Sequence, residues 1–117
     1  YFAAPTVYID VPVTSQLWLE EVFGPVLVSK TFKDDAEAIR LANDSKYALA
    51  ATIVSTDETV ALAMALQIEA GHVWINEQQI VLPESGWGGF KQSGIGRELG
   101  GGGLSAYQKS KHVLLSD

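Results

Sequence analysis

The sequence predicts an α/β fold: a parallel β-α-β-α-β segment, then a glycine-rich loop and a terminal strand. Three observations carry this. Apolar runs of strand length at residues 25–32, 50–55 and 72–76 alternate with two stretches of helical length, a spacing typical of parallel units joined by right-handed crossovers. Ala50 to Val54 is apolar without alternation, as in strands buried on both faces. Nine of the eleven glycines crowd between Gly86 and Gly103, so the periodicity that marks helices and strands stops after Asn76.

Taken in order, Val7-Tyr8-Ile9-Asp10-Val11 is β-branched and aromatic between Pro5 and Pro12, and predicts a short strand. Pro25 to Phe32 predicts the next. Asp34 offers an N-cap with Glu37 three residues on, which predicts a helix to about Asn43 with Ala38, Ile39 and Ala42 inward. A strand from Ala50 to Ser55 follows. Ser55 and Glu58 repeat the capping spacing, and a second helix is expected over about Asp57 to Ala70, its inward stripe formed by Val60, Ala63, Met64, Gln67 and Ile68. Gly71 is its natural stop. His72 to Asn76 is the third strand of the unit, residues 86–103 are expected to be a packed loop, and Ser110 to Ser116 a closing strand.

Composition narrows the function classes. A chain of 117 residues fits one domain, and folding should bury roughly two-thirds of its unfolded surface. A net charge of −6 with eight scattered basic residues argues against a nucleic-acid partner, which needs clustered Lys and Arg. With no cysteine there is no disulfide, no thiolate metal site and no cysteine nucleophile. No apolar run approaches the roughly 20 residues that span a bilayer, and Tyr1 to Pro5 has no signal-peptide character. A cytoplasmic location is expected. Without an initiator Met, the chain is expected to start inside something larger.

Several patterns invite a function and fail on inspection. Gly94-Ile95-Gly96-Arg97-Glu98-Leu99-Gly100 resembles a dinucleotide fingerprint, but Leu99 stands where the third glycine belongs and no strand leads into it. Asn43-Asp44-Ser45 fits a glycosylation sequon and reads as a helix end. His72 and His112 are 40 positions apart and are expected to be structural or exposed rather than metal ligands or bases.

Two motifs remain. Glu20-Glu21-Val22-Phe23-Gly24-Pro25-Val26 sets two carboxylates and a ring before a Gly-Pro break, and Trp87 to Gly100 crowds glycine, an indole and Arg97-Glu98 together. Read alone, the carboxylates are an ordinary solvated pair and Phe23 a core residue. With Tyr1-Phe2…Pro5-Thr6-Val7, Ala42-Asn43…Tyr47 to Ala51, Ala70-Gly71…Trp74-Ile75-Asn76 and Gly103-Leu104…Tyr107…Lys111, they stand in the order found in NAD(P)-dependent aldehyde dehydrogenases. Over essentially its whole length the chain resembles the C-terminal part of that family's catalytic domain.

The resemblance carries specific expectations. Glu21 corresponds to the glutamate that holds the nicotinamide ribose hydroxyls, a task suited to a carboxylate because it accepts from two vicinal hydroxyls at once. Phe23 corresponds to the ring that packs near the nicotinamide, and Leu49 to a position close by. Trp87 corresponds to an aromatic of the aldehyde pocket. With Trp18, it resembles the betaine aldehyde and aminoaldehyde branch, where an indole face can hold an ammonium group; the plainer reading is an apolar wall. Asn76 and Glu77 begin a loop toward that pocket. Arg97 and Glu98 are expected to tie the glycine-rich loop down. Ala48 departs from the family's usual glycine, and Lys109 is read as neutral near a subunit interface.

The implied reaction oxidises an aldehyde to a carboxylic acid through a cysteine thiohemiacetal, with NAD as cofactor and NADP left open. No catalytic residue and no metal site is expected in this segment, which should be inactive alone. Residues 1–107 are read as catalytic-domain sequence and 108–117 as an oligomerisation strand. The implied partners are the remainder of the enzyme or neighbouring subunits of a homodimer or homotetramer, and a small-molecule aldehyde. The alternative is a non-catalytic interaction module that pairs through the edge at Ser110 to Ser116. A small binding domain with its own ligand in the glycine-rich loop is a third reading.

Overall fold

The structure, a computed structural model, describes residues 1–116. It is α/β as the sequence predicts, and it divides into two compact units, Tyr1–Lys46 and Tyr47–Asp117. Among the described residues the strands form three two-stranded sheets, two of them parallel.

In the first unit β1 (Thr6–Ile9) pairs in parallel with β2 (Val26–Ser29), in register from Thr6↔Val26 to Ile9↔Ser29. Between them lies α1 (Gln16–Leu19), a single turn that the sequence reading missed because four residues are too few to show a period. After β2 comes α2 (Asp35–Asn43), and its start was legible. The Asp34 carboxylate accepts the Glu37 N–H at 2.8 Å, while Glu37 accepts the Lys33 N–H at 3.0 Å. That backbone bond is the main reason the Glu37 carboxyl is held below its ordinary value, with the Lys33 and Arg40 charges helping. The buried residue of α2 is Leu41, not the expected Ala42, because a helix face repeats at three and four residues and Ala38–Leu41 is the pair that faces in.

The second unit is organised by β4 (Ala50–Ile53), α3 (Glu58–Ala65) and β5 (His72–Ile75). The two strands pair in parallel from Ala50↔His72 to Ile53↔Ile75, and α3 lies against β5 with Ala61 fully buried. Of the expected stripe, Val60, Met64 and Ile68 are half-buried while Ala63 and Gln67 are exposed, and the helix ends at Ala65 in a turn rather than reaching Ala70. Asp57 caps α3, accepting from Thr59 and Val60, whereas Ser55 is occupied in accepting the Asp57 N–H at 3.1 Å.

The glycine-rich stretch is not plain loop. It contains β6 (Phe90–Lys91), antiparallel to the two-residue β3 (Tyr47–Ala48), and α4 (Gly100–Ser105). Helical propensity opposes α4, which opens on Gly100 to Gly103 and has no side-chain cap. Gly103 is buried, and a Cβ there would lie 2.8 Å from the Glu98 carbonyl carbon, so packing requires that glycine. Around Gly101 a Cβ would meet nothing within 4 Å. Gly101→Ala is expected to stabilise the fold by about 0.5–1 kcal/mol, read as a raised urea midpoint.

Ser110 to Ser116 forms no strand in the single chain, because no other strand of the chain offers it a ladder; Asp117, the last residue of the expected 108–117 element, lies outside the described residues. Burial is also thinner than expected. The chain exposes 9393 Å², against about 7,400 Å² for two separate compact bodies of these sizes by area–mass scaling. Much of the excess is apolar, including Val7, Ile9 and Leu27 on one face of the β1–β2 pair.

Candidate functional site

The segment from Glu20 to Pro25 leaves α1 and feeds β2. Ser15 caps α1 by accepting the Trp18 N–H at 3.3 Å, which places half-buried Trp18 just ahead of the carboxylates. Glu20 ends the helix in an extended conformation, φ −118° and ψ 146°. Its carboxylate pairs with Lys46 Nζ at 2.6 Å. Glu21 is exposed, with no hydrogen bond or ion pair from its carboxylate among the described residues. Gly24 then turns the chain, its N–H donating to the Val22 carbonyl at 2.7 Å, and the Pro25 carbonyl accepts the Thr6 N–H at 2.9 Å to open the β1–β2 ladder.

Phe23, at 97% exposure, is not the core residue of the plainer reading. An exposed ring beside a free carboxylate offers what a flat heterocycle carrying a vicinal diol needs.

Leu49 and Trp87 belong to the second unit, where they line one open cavity of about 1000 Å³ together with Gly88, Gly89, Arg97 and Tyr107. Trp87 is fixed from two sides. Its N–H and C=O exchange bonds of 2.7 and 2.8 Å with Glu98, and its ring sits 5.7 Å from His72 and 6.0 Å from Trp74. Trp74 is anchored in turn by Nε1 donating to the Ile80 carbonyl at 2.9 Å. The backbone carrying Trp87 lies directly on Gly71, where any Cβ would intrude on the Gly88 carbonyl.

Arg97 ties the loop as expected: its guanidinium donates to the Gly89 and Gly96 carbonyls at 2.7 and 2.8 Å and lies 4.9 Å from the centroid of the Phe90 ring. Glu98 contributes through its backbone alone. Ala48, the departure from the family glycine, is buried in β3 and donates its N–H to Ser93 Oγ at 2.9 Å.

Asn76 and Glu77 do not line this cavity. Asn76 adopts φ 52°, and its side-chain amide accepts from the Ser55 N–H at 2.9 Å and donates to the Ser55 carbonyl at 2.8 Å. The exposed Glu77 carboxylate accepts the Gln78 N–H at 2.8 Å. Sequence reasoning missed Lys46, Ser93 and the ring contacts of His72, although each lies within one of the motifs named above. Among the described residues no group of three metal-ligating side chains converges. The sequence contains no cysteine.

A family model described as the aldehyde dehydrogenase family matches residues 1–113. A chloroplastic aminoaldehyde dehydrogenase of Arabidopsis thaliana is 49% identical over 115 residues, which is 98% of this chain and 23% of that protein. A peroxisomal aminoaldehyde dehydrogenase of Pisum sativum is 47% identical over 97% of this chain and 22% of its own length. The crystal structure of a betaine aldehyde dehydrogenase from Staphylococcus aureus in complex with NAD+ superposes with a TM-score of 0.90 at 46% identity, covering 96% of this chain and 22% of that one. The chain thus spans under a quarter of the length of these relatives. The plant relatives are organellar by name, so they lend nothing to the cytoplasmic expectation. Among the described residues no helix is long and apolar enough to cross a membrane.

Proposed function

The chain belongs to the aldehyde dehydrogenase family, and we propose that it works as the ribose-binding and pocket-walling segment of an NAD(P)-dependent oxidoreductase that converts an aldehyde to a carboxylic acid. The observation that carries this reading is the pairing of a 97% exposed Phe23 with an unpaired carboxylate at Glu21 two residues earlier. Glu21 binds the vicinal hydroxyls of the nicotinamide ribose and Phe23 lies along the ring; Leu49 is taken separately, on the strength of its family position, as a cofactor contact of the second unit. Bound NAD+ supplies the hydride acceptor, NADP+ remaining the variant cofactor. The thiohemiacetal is formed on a cysteine that this chain does not contain. The NAD+ carried by the S. aureus relative supports the choice of cofactor.

Trp87 selects the substrate. Its indole, braced by His72 and Trp74, presents a fixed face to the cavity, and a cationic aldehyde gains there about 1–2 kcal/mol once desolvated. The names of the plant relatives support a trimethylammonium or ammonium aldehyde. Residues 108–117 serve as the strand through which subunits of a dimer or tetramer meet. A second reading, a non-catalytic interaction module, is favoured by one observation: Val113, Leu114 and Leu115 are 78%, 97% and 95% exposed.

The test is formation of reduced cofactor by the complete enzyme with a trimethylammonium aldehyde and with an uncharged aldehyde of equal length. Trp87→Ala is expected to raise KM about tenfold for the cationic substrate and little for the other. Equal losses on both would leave Trp87 a plain wall. Absence of any aldehyde-dependent reduction would overturn the enzymatic reading in favour of the interaction module.

A further inference from the structure

We infer that the Lys46–Glu20 ion pair is a positioning device for Glu21, and that Lys46 is a residue on which cofactor affinity depends without touching the cofactor. The inference rests on the reading of Glu21 as the ribose clamp.

Three features of the first unit support it. Among the described residues, the side chains from Glu20 to Pro25 make one polar tie to the rest of the unit, Glu20 to Lys46 Nζ at 2.6 Å. The backbone at Glu20 is extended, so successive side chains there leave opposite faces. Holding Glu20 against Lys46 therefore decides the side on which Glu21 stands. Finally, the Gly24 turn immediately downstream fixes the far end of the segment through the bonds from Gly24 to Val22 and from Val26 to Gly24, at 2.7 and 2.8 Å. Glu21 and Phe23 lie between two anchors, one a backbone turn and the other this ion pair.

The pair is poorly suited to a purely stabilising role. The Lys46 and Glu20 side chains are 35% and 47% exposed, and ion pairs so open to solvent add little to folding. Their effect should fall on geometry and on local charge. With Glu20 matched by Lys46, Glu21 is left as the one uncompensated carboxylate of the adjacent pair, and the approach of a dinucleotide bearing a pyrophosphate meets less repulsion. Lys46 is placed for this by the end of α2, whose last residue, Asn43, leads through a short turn to it.

The experiment uses the complete enzyme with NAD+ as the varied ligand. Lys46→Met and Glu20→Gln are each expected to raise KM for NAD+ about tenfold while the aldehyde KM and the thermal midpoint stay near the parent values, the loss typical of a misplaced binding group. The exchange Glu20→Lys with Lys46→Glu should recover most of the affinity, which a merely structural role would not predict. Unchanged KM for NAD+ in Lys46→Met, beside a rise in Glu21→Gln, overturns the inference and leaves the clamp standing. A rise that the exchange does not relieve also overturns it. If Glu21→Gln itself is silent, the clamp reading fails first.

Discussion

Replacing Glu21 with Gln in the complete enzyme is expected to weaken NAD+ binding and lower turnover, together by about 10- to 100-fold, the worth of a charge-assisted hydrogen bond or a pair of them. A carboxylate accepts from both ribose hydroxyls, whereas the amide offers one acceptor and turns a donor toward the second hydroxyl. The variant should fold normally, because Glu21 is exposed and no fold contact depends on its side chain among the described residues. Steady-state kinetics with NAD+ varied at saturating aldehyde, beside a thermal unfolding curve, separate the two effects. Parental kinetics in this variant would remove Glu21 from the site.

The largest stability effect is expected from Gly71→Ala. A Cβ at this position would overlap the Gly88 carbonyl and stand 2.9 Å from the Gly89 Cα, and both are backbone atoms that no side-chain rotation can clear. Overpacking of this kind costs about 3 kcal/mol. Part of the strain would be relieved by moving the Gly88 segment outward, which also withdraws Trp87 from His72 and Trp74. Urea unfolding should show a lower midpoint, and near-ultraviolet circular dichroism should lose the signal of the coupled indoles. An unchanged midpoint would mean that the two backbone segments are not held together as tightly as their approach implies. The contrast with Gly101→Ala is informative, since the same methyl group is expected to help where space is open and to harm where backbone is near.

How far the sequence speaks for itself depends on the element. Asp34 and Glu37 announced α2 because capping chemistry is local. The runs at Ala50 and His72 announced β4 and β5, but β4 alternates exposed and half-buried residues and Val54 is exposed, so the expectation of a strand buried on both faces does not hold there. By contrast, α4 was illegible: four successive glycines argue against a helix, and the close approach of the Glu98 backbone to Gly103 is a tertiary contact that the local sequence does not announce. The α3 cap was placed two residues early because Ser55 and Asp57 are both good caps; the Ser55 hydroxyl accepts the Asp57 N–H, and the Asp57 carboxylate accepts from Thr59 and Val60. The site follows the same rule. Motif order singled out Glu21, Phe23, Leu49 and Trp87 as candidates, and of these Leu49 and Trp87 line one cavity. The partners that brace them, His72, Trp74 and Lys46, are set by tertiary contact, which periodicity does not record.

The amide of Asn76 copies a peptide group. By meeting both the N–H and the C=O of Ser55, it closes the β4–β5 ladder with a side chain while its own backbone, at φ 52°, is already turning away. The scaffold is thus sealed one residue before the following loop begins. What comes after, from Glu77 onward, can drift in sequence and length without reopening the sheet behind it. Changes in that loop leave the β4–β5 frame in place.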